Sequence, residues 1–352
     1  RIYDFGSYRP SGSMANWNLP ATLPLDKSER MKDEVSGRTF LEATIIEGLK
    51  FKTSFNFDLI NYNTLDYTNP KLGPAKENGG GVSRLNTRTF SWTWNNIVTY
   101  DKTIGEHHFN VLAGMESYSY RYDELTASRS KMAQPDMPEL VVGSQLTGGS
   151  GYRIDYALGG YLTQLLYDYR NKYFFSASYR RDGSSRFAPE TRWGNFWSVA
   201  GAWNIMREGF MSKYSFLSNL RIRASYGING TLPSDNYGYM SLMSYTSKYM
   251  GNPGGTITTV TNDKLSWETS YNTNVGIDFG FFGQRLRGTV EYFNRDSKNL
   301  LQDVPISMVT GFSSTLRNVG CINNHGVEVE LSGDIIDSKG WLWSCLLYTS
   351  DA

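Results

Sequence analysis

Four tyrosines in one glycine-rich stretch are the residues of this sequence best suited to bind a ligand: Tyr237, Tyr239, Tyr245 and Tyr249. A tyrosine ring presents an apolar face and a polar hydroxyl tip, which suits stacking against a sugar ring. The stretch also contains Asn252-Pro253-Gly254-Gly255, and Gly and Asn form irregular, adaptable loops. We therefore predict a substrate-binding loop here. The alternative is that the stretch is only a mobile connection.

Catalytic and metal-binding chemistry has little support in the sequence. The three histidines are His107, His108 and His325, and without a Gly-x-Ser-x-Gly elbow a catalytic triad would need scattered parts. Cys321 and Cys345 are too few for a disulfide framework and lack metal-ligand spacing. We therefore predict that the chain is not an enzyme and carries neither a metal site nor a cofactor.

Polar and apolar residues alternate along most of the chain. Between residues 271 and 281, Tyr, Thr, Val, Ile and Phe alternate with Asn, Gly and Asp, and residues 51–59 and 220–229 repeat the pattern. A two-residue period is typical of a β-strand with one apolar and one polar face. The alternating runs reach about 10 residues, the length that a tilted membrane-spanning strand needs. The pattern therefore predicts the wall of a transmembrane β-barrel.

The composition agrees with a barrel. The 352-residue chain is 14% aromatic, yet its mean hydropathy is −0.44, as expected when only the outside is apolar and Tyr and Trp lie at both membrane interfaces. The net charge is +1 with both signs intermixed, so no nucleic-acid-binding surface is predicted. No apolar run approaches the roughly 18 residues of a membrane-spanning helix. A secreted soluble β-protein with aromatic cores is the alternative.

About twelve strands are predicted, joined by connections that alternate between tight and long. The predicted strands lie at 36–48, 50–62, 88–101, 105–122, 152–169, 172–182, 193–206, 218–229, 266–282, 284–300, 317–334 and 340–348. The long connections are 63–87, 123–151, 230–265 and 301–316. This alternation is typical of an antiparallel barrel with tight turns on the periplasmic side and long loops on the exterior side.

The domain organisation follows from where the alternation begins and ends. Residues 1–35 contain prolines at 10, 20 and 24 and no alternation, so we expect an exterior-loop segment that precedes the first strand. Residues 36–344 form the partial barrel. Residues 345–352 lose the alternation and are expected to be a non-native tail. Because neither Met nor a signal peptide precedes Arg1, we expect the chain to begin inside a longer protein.

Three blocks of the sequence resemble the SusC/RagA-type TonB-linked outer-membrane proteins. The first is 179–187, Tyr-Arg-Arg-Asp-Gly-Ser-Ser-Arg-Phe, followed by Gly194 and Phe196-Trp197-Ser198. The second is 217–227, Leu-Ser-Asn-Leu-Arg-Ile-Arg-Ala-Ser-Tyr-Gly. The third consists of Leu-Ser-Trp-Glu-Thr at 265–269, Asn-Val-Gly-Ile-Asp-Phe at 274–279, and the segments 318–320 and 323–328. The ordered blocks extend the resemblance over residues 36–335.

The resemblance implies a barrel of about 22 strands whose lumen is closed by an N-terminal plug. This chain would be the middle of that barrel, without the plug and the segment that contacts TonB. Such proteins lie in the outer membrane of Gram-negative, Bacteroidetes-like cells. They import oligosaccharides, and in some cases peptides, with the TonB system and a SusD-type surface lipoprotein.

Two other functions remain open at this point. One is a passive porin or adhesin barrel, which would lack a plug. The other is a soluble carbohydrate-binding β-protein, which would not depend on detergent or lipid.

Overall fold

The computed structural model describes residues 23–338 and 340–351. The strands are β1 (Lys27–Ile46), β2 (Leu49–Thr68), β3 (Gly81–Ile104), β4 (His107–Met132), β5 (Gly143–Tyr169), β6 (Tyr173–Ser184), β7 (Trp193–Asn204), β8 (Leu217–Thr231), β9 (Met243–Tyr249), β10 (Asn252–Ile257), β11 (Glu268–Phe281), β12 (Leu286–Lys298), β13 (Leu301–Pro305), β14 (Ser314–Asn318), β15 (Cys321–Ser338) and β16 (Trp341–Asp351). Short 3₁₀ helices lie at Pro74–Lys76, Leu140–Val142, Ile205–Arg207, Gly209–Lys213 and Met308–Thr310. Among the described residues, no helix is both long and apolar enough to cross a membrane.

Twelve strands form one antiparallel sheet in the order β1-β2-β3-β4-β5-β6-β7-β8-β11-β12-β15-β16. The remaining described strands form two inserted hairpins, in which β9 pairs with β10 and β13 pairs with β14. Once these hairpins are set aside, each strand of the large sheet pairs with its neighbours in sequence. This up-and-down order without crossovers is that of a barrel wall. It confirms the predicted all-β class and the predicted number of strands.

The pairing register gives the sheet a polar face and an apolar face. In β11, Gly276 lies opposite Arg223 of β8 and Glu291 of β12. Val275 and Ile277 point to the other side because side chains alternate along a strand, and they are 43% and 42% exposed. Exposed large side chains continue this apolar face on neighbouring strands at Tyr173, Phe175, Tyr179, Trp197, Val199, Trp203, Ile222, Tyr226, Val290, Tyr292 and Val327. An apolar surface of this extent marks contact with a membrane or with another protein.

Aromatic rings gather near both ends of the apolar face. Toward the short turns, the ring of Tyr173 stacks on that of Trp203 with centroids 6.3 Å apart. Toward the long loops, Tyr161 stacks on Trp193, also at 6.3 Å. Trp193 and Trp203 are the first and the eleventh residue of β7, a distance of about 33 Å along a strand. A strand tilted by about 40° spans about 25 Å over that length, the height of the apolar band of membrane barrels.

The chain divides into two compact units. The first unit contains residues 23–39 with Phe55–Thr93 and Tyr118–Tyr156. Its core consists of Leu65, Tyr67, Val82 and Met132. The second unit contains Phe40–Ser54, Trp94–Ser117 and the remainder from Ala157 onward. Its core consists of Phe187, Phe196, Leu265 and Trp267.

The first strand begins earlier than predicted. β1 starts at Lys27, so residues 27–35 are strand rather than part of the predicted loop segment. Ser28 Oγ donates a hydrogen bond to Asp66 Oδ1 at 2.7 Å, and Ser36 Oγ donates to Asp58 Oδ1 at 2.6 Å. Cross-strand polar pairs stabilise this part of the strand, and they leave no apolar alternation in the sequence. The predicted loop at 1–22 lies outside the described residues.

Two long loops are shorter than predicted because their flanking strands continue. The connection between β2 and β3 is 69–80 rather than 63–87, and the connection between β4 and β5 is 133–142 rather than 123–151. The predicted loop 230–265 contains the β9–β10 hairpin, and the predicted loop 301–316 contains β13 and the first residues of β14. The alternation of short and long connections holds except on either side of β7, where the connection 185–192 on the long-loop side is shorter than the connection 205–216 on the short-turn side.

The last strand includes residues 345–351, which the sequence predicts to be a tail outside the fold. Residues 345–351 belong to β16, and Leu347 and Tyr348 lie opposite Leu331 and Glu330 of β15. Backbone pairing extends the strand even though its sequence does not alternate. That residues 345–352 are non-native stays a prediction.

Candidate functional site

The centre of the polar face is an arginine held between two carboxylates. Nη2 of Arg223 in β8 donates to Glu291 Oε2 of β12 at 2.5 Å, and Nε lies 3.4 Å from Asp278 Oδ2 of β11. The guanidinium crosses β11 at Gly276, where a Cβ would lie 3.0 Å from Cζ of Arg223. Gly276 therefore leaves the space that the side chain occupies, and the ion pairs link three adjacent strands.

An open recess of about 690 Å³ lies beside this ion-pair network. Most of the polar side chains in its lining are amides and hydroxyls: Ser198, Ser225, Asn229, Asn272, Asn274 and Asn324. Arg295 Nε donates to Asn272 Oδ1 at 3.0 Å, and Asn274 Nδ2 donates to Ser225 Oγ at 3.5 Å. Amides and hydroxyls supply both donors and acceptors. This lining suits a polar oligomer or a polar segment of protein.

A second recess of about 620 Å³ is bordered by His108. The histidine lies between two carboxylates, with Nδ1 2.9 Å from Asp168 Oδ2 and Nε2 3.2 Å from Asp101 Oδ2. Both ring nitrogens are engaged, so neither is available to activate a nucleophile. His108 is thus a link between strands. Over residues 23–338 and 340–351, no cluster of three or more His, Cys, Asp or Glu side chains is arranged to hold a metal ion.

Near the long loops the polar face carries an apolar cluster of Phe187, Phe196, Leu265 and Trp267. The Trp267 ring centroid lies 5.3 Å from that of Phe187 and 5.2 Å from that of Phe196. Gly230 leaves space for this packing, since a Cβ there would lie 2.1 Å from Cζ of Phe196. All four side chains belong to the sequence blocks that carry the family resemblance. At these positions the blocks therefore encode packing near the loops.

The structure divides the four predicted binding tyrosines between two places. Tyr239 is half-buried against the apolar cluster, and Tyr237 is half-buried beside Asp235, whose Oδ1 accepts from the Tyr237 backbone N–H at 3.0 Å. Tyr245 and Tyr249 lie on β9 and are 69% and 77% exposed. Of the four tyrosines, only these two are largely exposed. Their binding role stays a prediction.

Sequence reasoning missed a second group of tyrosines, which lies in the first unit. We name it the tyrosine wall: Tyr118, Tyr120, Tyr122, Tyr152 and Tyr156. Ring centroids of β4 and β5 lie 5.7 Å apart for Tyr118–Tyr156, 4.9 Å for Tyr120–Tyr156 and 5.9 Å for Tyr122–Tyr152. The spacing Tyr-x-Tyr-x-Tyr at 118–122 is the sequence signal that could have found it.

The tyrosine wall lies on the polar face of β4. Glu116 of the same strand pairs with Arg180 Nη2 of β6 at 3.0 Å, and Arg180 Nε pairs with Asp182 at 2.6 Å. Since side chains alternate along a strand, positions 118, 120, 122 and 124 share the side of Glu116. Glu124 completes the wall, because its Oε2 accepts from Tyr122 Oη at 2.5 Å and from Tyr152 Oη at 3.0 Å.

At the short-turn end of the second unit, the carboxylate of Glu208 links three side chains. Glu208 accepts hydrogen bonds from Lys172 Nζ at 2.8 Å, Tyr173 Oη at 2.7 Å and Trp203 Nε1 at 3.0 Å. The bond from Lys172, followed by that from Tyr173, lowers the pKa of Glu208 to about 2. In the turn between β3 and β4, the bond to Arg170 likewise lowers the pKa of Glu106. These groups link short turns to one another and border neither of the two recesses.

The family model described as TonB dependent receptor-like, beta-barrel matches residues 3–352. Among curated proteins, the TonB-dependent receptor P39 of Formosa agariphila is 30% identical over 312 residues, which are 87% of this chain and 30% of that protein. The TonB-dependent receptor SusC of Bacteroides thetaiotaomicron is 29% identical over 262 residues, 72% of this chain and 26% of SusC. The chain thus spans about a third or less of the length of these relatives.

A solved structure has a similar fold. The RagAB peptide transporter matches with a TM-score of 0.87 and 27% identity, over 99% of this chain and 39% of the transporter chain.

Proposed function

This chain belongs to the TonB dependent receptor-like β-barrel family, and from that premise we propose that it forms part of the wall of an outer-membrane transporter. The transporter imports oligosaccharides in a TonB-dependent manner, together with a SusD-type surface lipoprotein. Its contact with TonB lies in a plug region outside this chain. The relatives are long enough to include such a region, because this chain spans about a third or less of their length. The Formosa and Bacteroides relatives favour a Gram-negative, Bacteroidetes-like outer membrane.

One observation carries the proposal: the same strands present an exposed apolar face and a polar face with charged and amide side chains. In water an exposed apolar face with Val275, Ile277 and their neighbours would be costly. In hydrocarbon it is the expected surface, and the opposite face becomes a wet lumen. The aromatic rings at both ends of the apolar face fit the two membrane interfaces.

The polar face is the surface along which a substrate and a plug would lie. Its recess lined by Asn272, Asn274 and Asn324 offers donors and acceptors without a nucleophile–base pair. Such a surface supports passage of a polar molecule rather than its conversion. This agrees with the homologues, which are TonB-dependent receptors and not enzymes.

The long-loop end is the proposed mouth, where a lipoprotein lid would dock. The β9–β10 hairpin extends this end, and Tyr245 and Tyr249 on it are the proposed ligand or lid contacts. We expect the double substitution to alanine at these two positions to weaken uptake, and Lys248→Ala on the same strand to leave it unchanged. Barrel assembly should survive both, because the hairpin lies outside the large sheet.

Peptides are the second candidate substrate, favoured by the similarity to the RagAB peptide transporter. The test is uptake by cells that express a transporter containing this chain, with fluorescent neutral oligosaccharides and fluorescent oligopeptides as probes. TonB-dependent uptake of oligosaccharide supports the proposal, and TonB-dependent uptake of peptide alone supports the second candidate. Uptake that persists without TonB would indicate a passive porin. Recovery of the protein in the soluble fraction would support the soluble carbohydrate-binding alternative.

A further inference from the structure

We infer that the tyrosine wall is a stacking surface for the sugar rings of a neutral oligosaccharide. This inference rests on the proposed transport function and names the part of the barrel that recognises the substrate. The wall combines five ring faces with one carboxylate within a single hairpin of the first unit. Nothing in the ion-pair network or in the apolar cluster of the second unit has this composition.

The rings of the wall are held in place before any ligand arrives. The Tyr118 hydroxyl is hydrogen-bonded to Tyr156 and to Ser91, and Glu124 fixes the hydroxyls of Tyr122 and Tyr152. Because these hydroxyl groups are already bonded to neighbouring side chains, the tyrosine side chains lose little further conformational freedom when a ligand binds. A pre-organised surface binds more tightly than a mobile one because less conformational entropy is lost.

The two faces of the sheet in the first unit differ in their aromatic side chains. On the side opposite Ser91 and the tyrosine wall, Phe55 stacks on Trp92 with centroids 6.2 Å apart and lies 6.5 Å from Phe57. These rings carry no hydroxyl and suit contact with lipid. The wall instead carries tyrosines, whose hydroxyl tips require water or a polar partner. The choice of aromatic residue therefore follows the environment of each face.

Charged side chains on the opposite face place the Tyr122 and Tyr152 end of the wall outside the hydrocarbon. On the face opposite the wall, Arg121 Nε pairs with Asp155 at 2.7 Å, and Arg153 Nε pairs with Asp123 at 2.6 Å. Charged side chains are costly against lipid tails, so this level of β4 and β5 lies outside the apolar band. This part of the wall lies toward the long connection between β4 and β5, residues 133–142.

The chemistry of the wall favours a sugar over a peptide. A pyranose ring has apolar C–H faces that stack on tyrosine and hydroxyls that donate to a carboxylate such as Glu124. The hydroxyls of Ser83 and Ser128, 2.9 Å apart between β3 and β4 on the same face, add further donors and acceptors. An extended peptide would instead seek unpaired backbone groups, and β4 and β5 both lie inside the large sheet with a partner strand on each side.

The test uses the purified full-length transporter in detergent, titrated with a neutral gluco-oligosaccharide series and with a mixed oligopeptide library. Tyr120→Ala and Tyr156→Ala should each weaken oligosaccharide binding by about three- to tenfold. Tyr120→Phe keeps the ring and should stay close to wild type. Tyr226→Ala, on the apolar face of β8, is the matched control and should leave binding unchanged. Resistance of the folded barrel to detergent denaturation checks that each variant has assembled.

The outcomes separate this inference from the proposed function. If the wild type takes up oligosaccharides but the alanine variants bind them as tightly as wild type, the tyrosine wall is not the stacking surface and transport stands. If the variants lose peptide binding and the wild type binds no oligosaccharide, the assignment to sugars is overturned. If the wild type shows no TonB-dependent uptake of either probe, the proposed function fails as well.

Discussion

Apolar side chains of the second unit occur in two contrasting settings. Phe187 and Leu265 of the apolar cluster are 0% exposed and are covered by protein. Phe175, Val275 and Ile277, on the apolar face, are exposed although they are comparable in size and hydrophobicity. The first group needs only its own chain to leave water, whereas the second group needs another apolar environment. The contrast identifies the apolar face as the surface that a bilayer completes.

The contrast predicts that a side chain buried within the protein near the long loops contributes more to the free energy of unfolding than a side chain on the exposed apolar face. Phe187→Ala should cost about 3–5 kcal/mol, because it removes a fully buried ring and leaves a cavity. Phe175→Ala is the matched control, and it should cost clearly less because lipid can fill the space. Urea unfolding of the transporter in lipid vesicles measures both. Equal losses would mean that the two phenylalanines lie in equivalent environments and would remove the contrast.

The next-largest expected effect is the loss of stability when a charge is placed on the face that contacts the bilayer. Ile277→Arg should cost about 2–4 kcal/mol near the membrane midplane, whereas Asn274→Arg on the polar face should cost little. The two positions lie in the same strand, so strand propensity affects them alike. The same unfolding measurement in vesicles compares them. Equal tolerance at positions 274 and 277 would argue that neither face meets lipid.

A smaller effect tests the packing of the polar face itself. Gly276→Ala should cost about 1–3 kcal/mol, because the added Cβ displaces the Arg223 guanidinium from its carboxylates. Gly201→Ala in β7 is the control, since a Cβ there meets only Phe174 O at 3.8 Å. If Gly276→Ala is as neutral as the control, the ion-pair network contributes nothing measurable to stability.

The smallest effect concerns pH at the short-turn end. The pKa of Glu208 is about 2 in the folded protein, below its usual value. Its contribution to stability is therefore present above its ordinary pKa of about 4.3 and is lost as the pH falls from there toward 2. Glu208→Gln should flatten the pH dependence of the unfolding midpoint in that window. A variant with the same acid profile as wild type would show that the charge of Glu208 is irrelevant to stability.

The features that the sequence predicts well are those that repeat every two residues. Positions 271–281 reveal both faces of β11 because lipid and lumen demand opposite side chains. The sequence does not reveal that residues 27–35 form a strand. This part of β1 is paired with β2 through polar side chains such as Ser28 and its neighbour Ser36, so apolar residues do not recur at every second position. The hairpins β9–β10 and β13–β14 are also hidden, because short strands of Gly, Ser and Thr resemble loops.

The candidate binding residues were predicted less well, for a related reason. Tyr237, Tyr239, Tyr245 and Tyr249 are close in sequence, but Tyr239 is drawn into the apolar cluster by contacts with distant residues. The tyrosine wall was missed because Tyr118 and Tyr156 come together only through the pairing of β4 with β5. Proximity that depends on strand register cannot be read from one strand alone.

Accessibility of the two ends of the sheet in intact cells tests the membrane-spanning account most directly. In a transporter whose exposed Cys321 and Cys345 are replaced by serine, Glu47→Cys marks the short turn between β1 and β2, and Ser247→Cys marks the β9–β10 hairpin. A membrane-impermeant maleimide should label Ser247→Cys on intact cells and label Glu47→Cys only after permeabilisation. Labelling of both positions on intact cells, or of Glu47→Cys alone, would contradict the account.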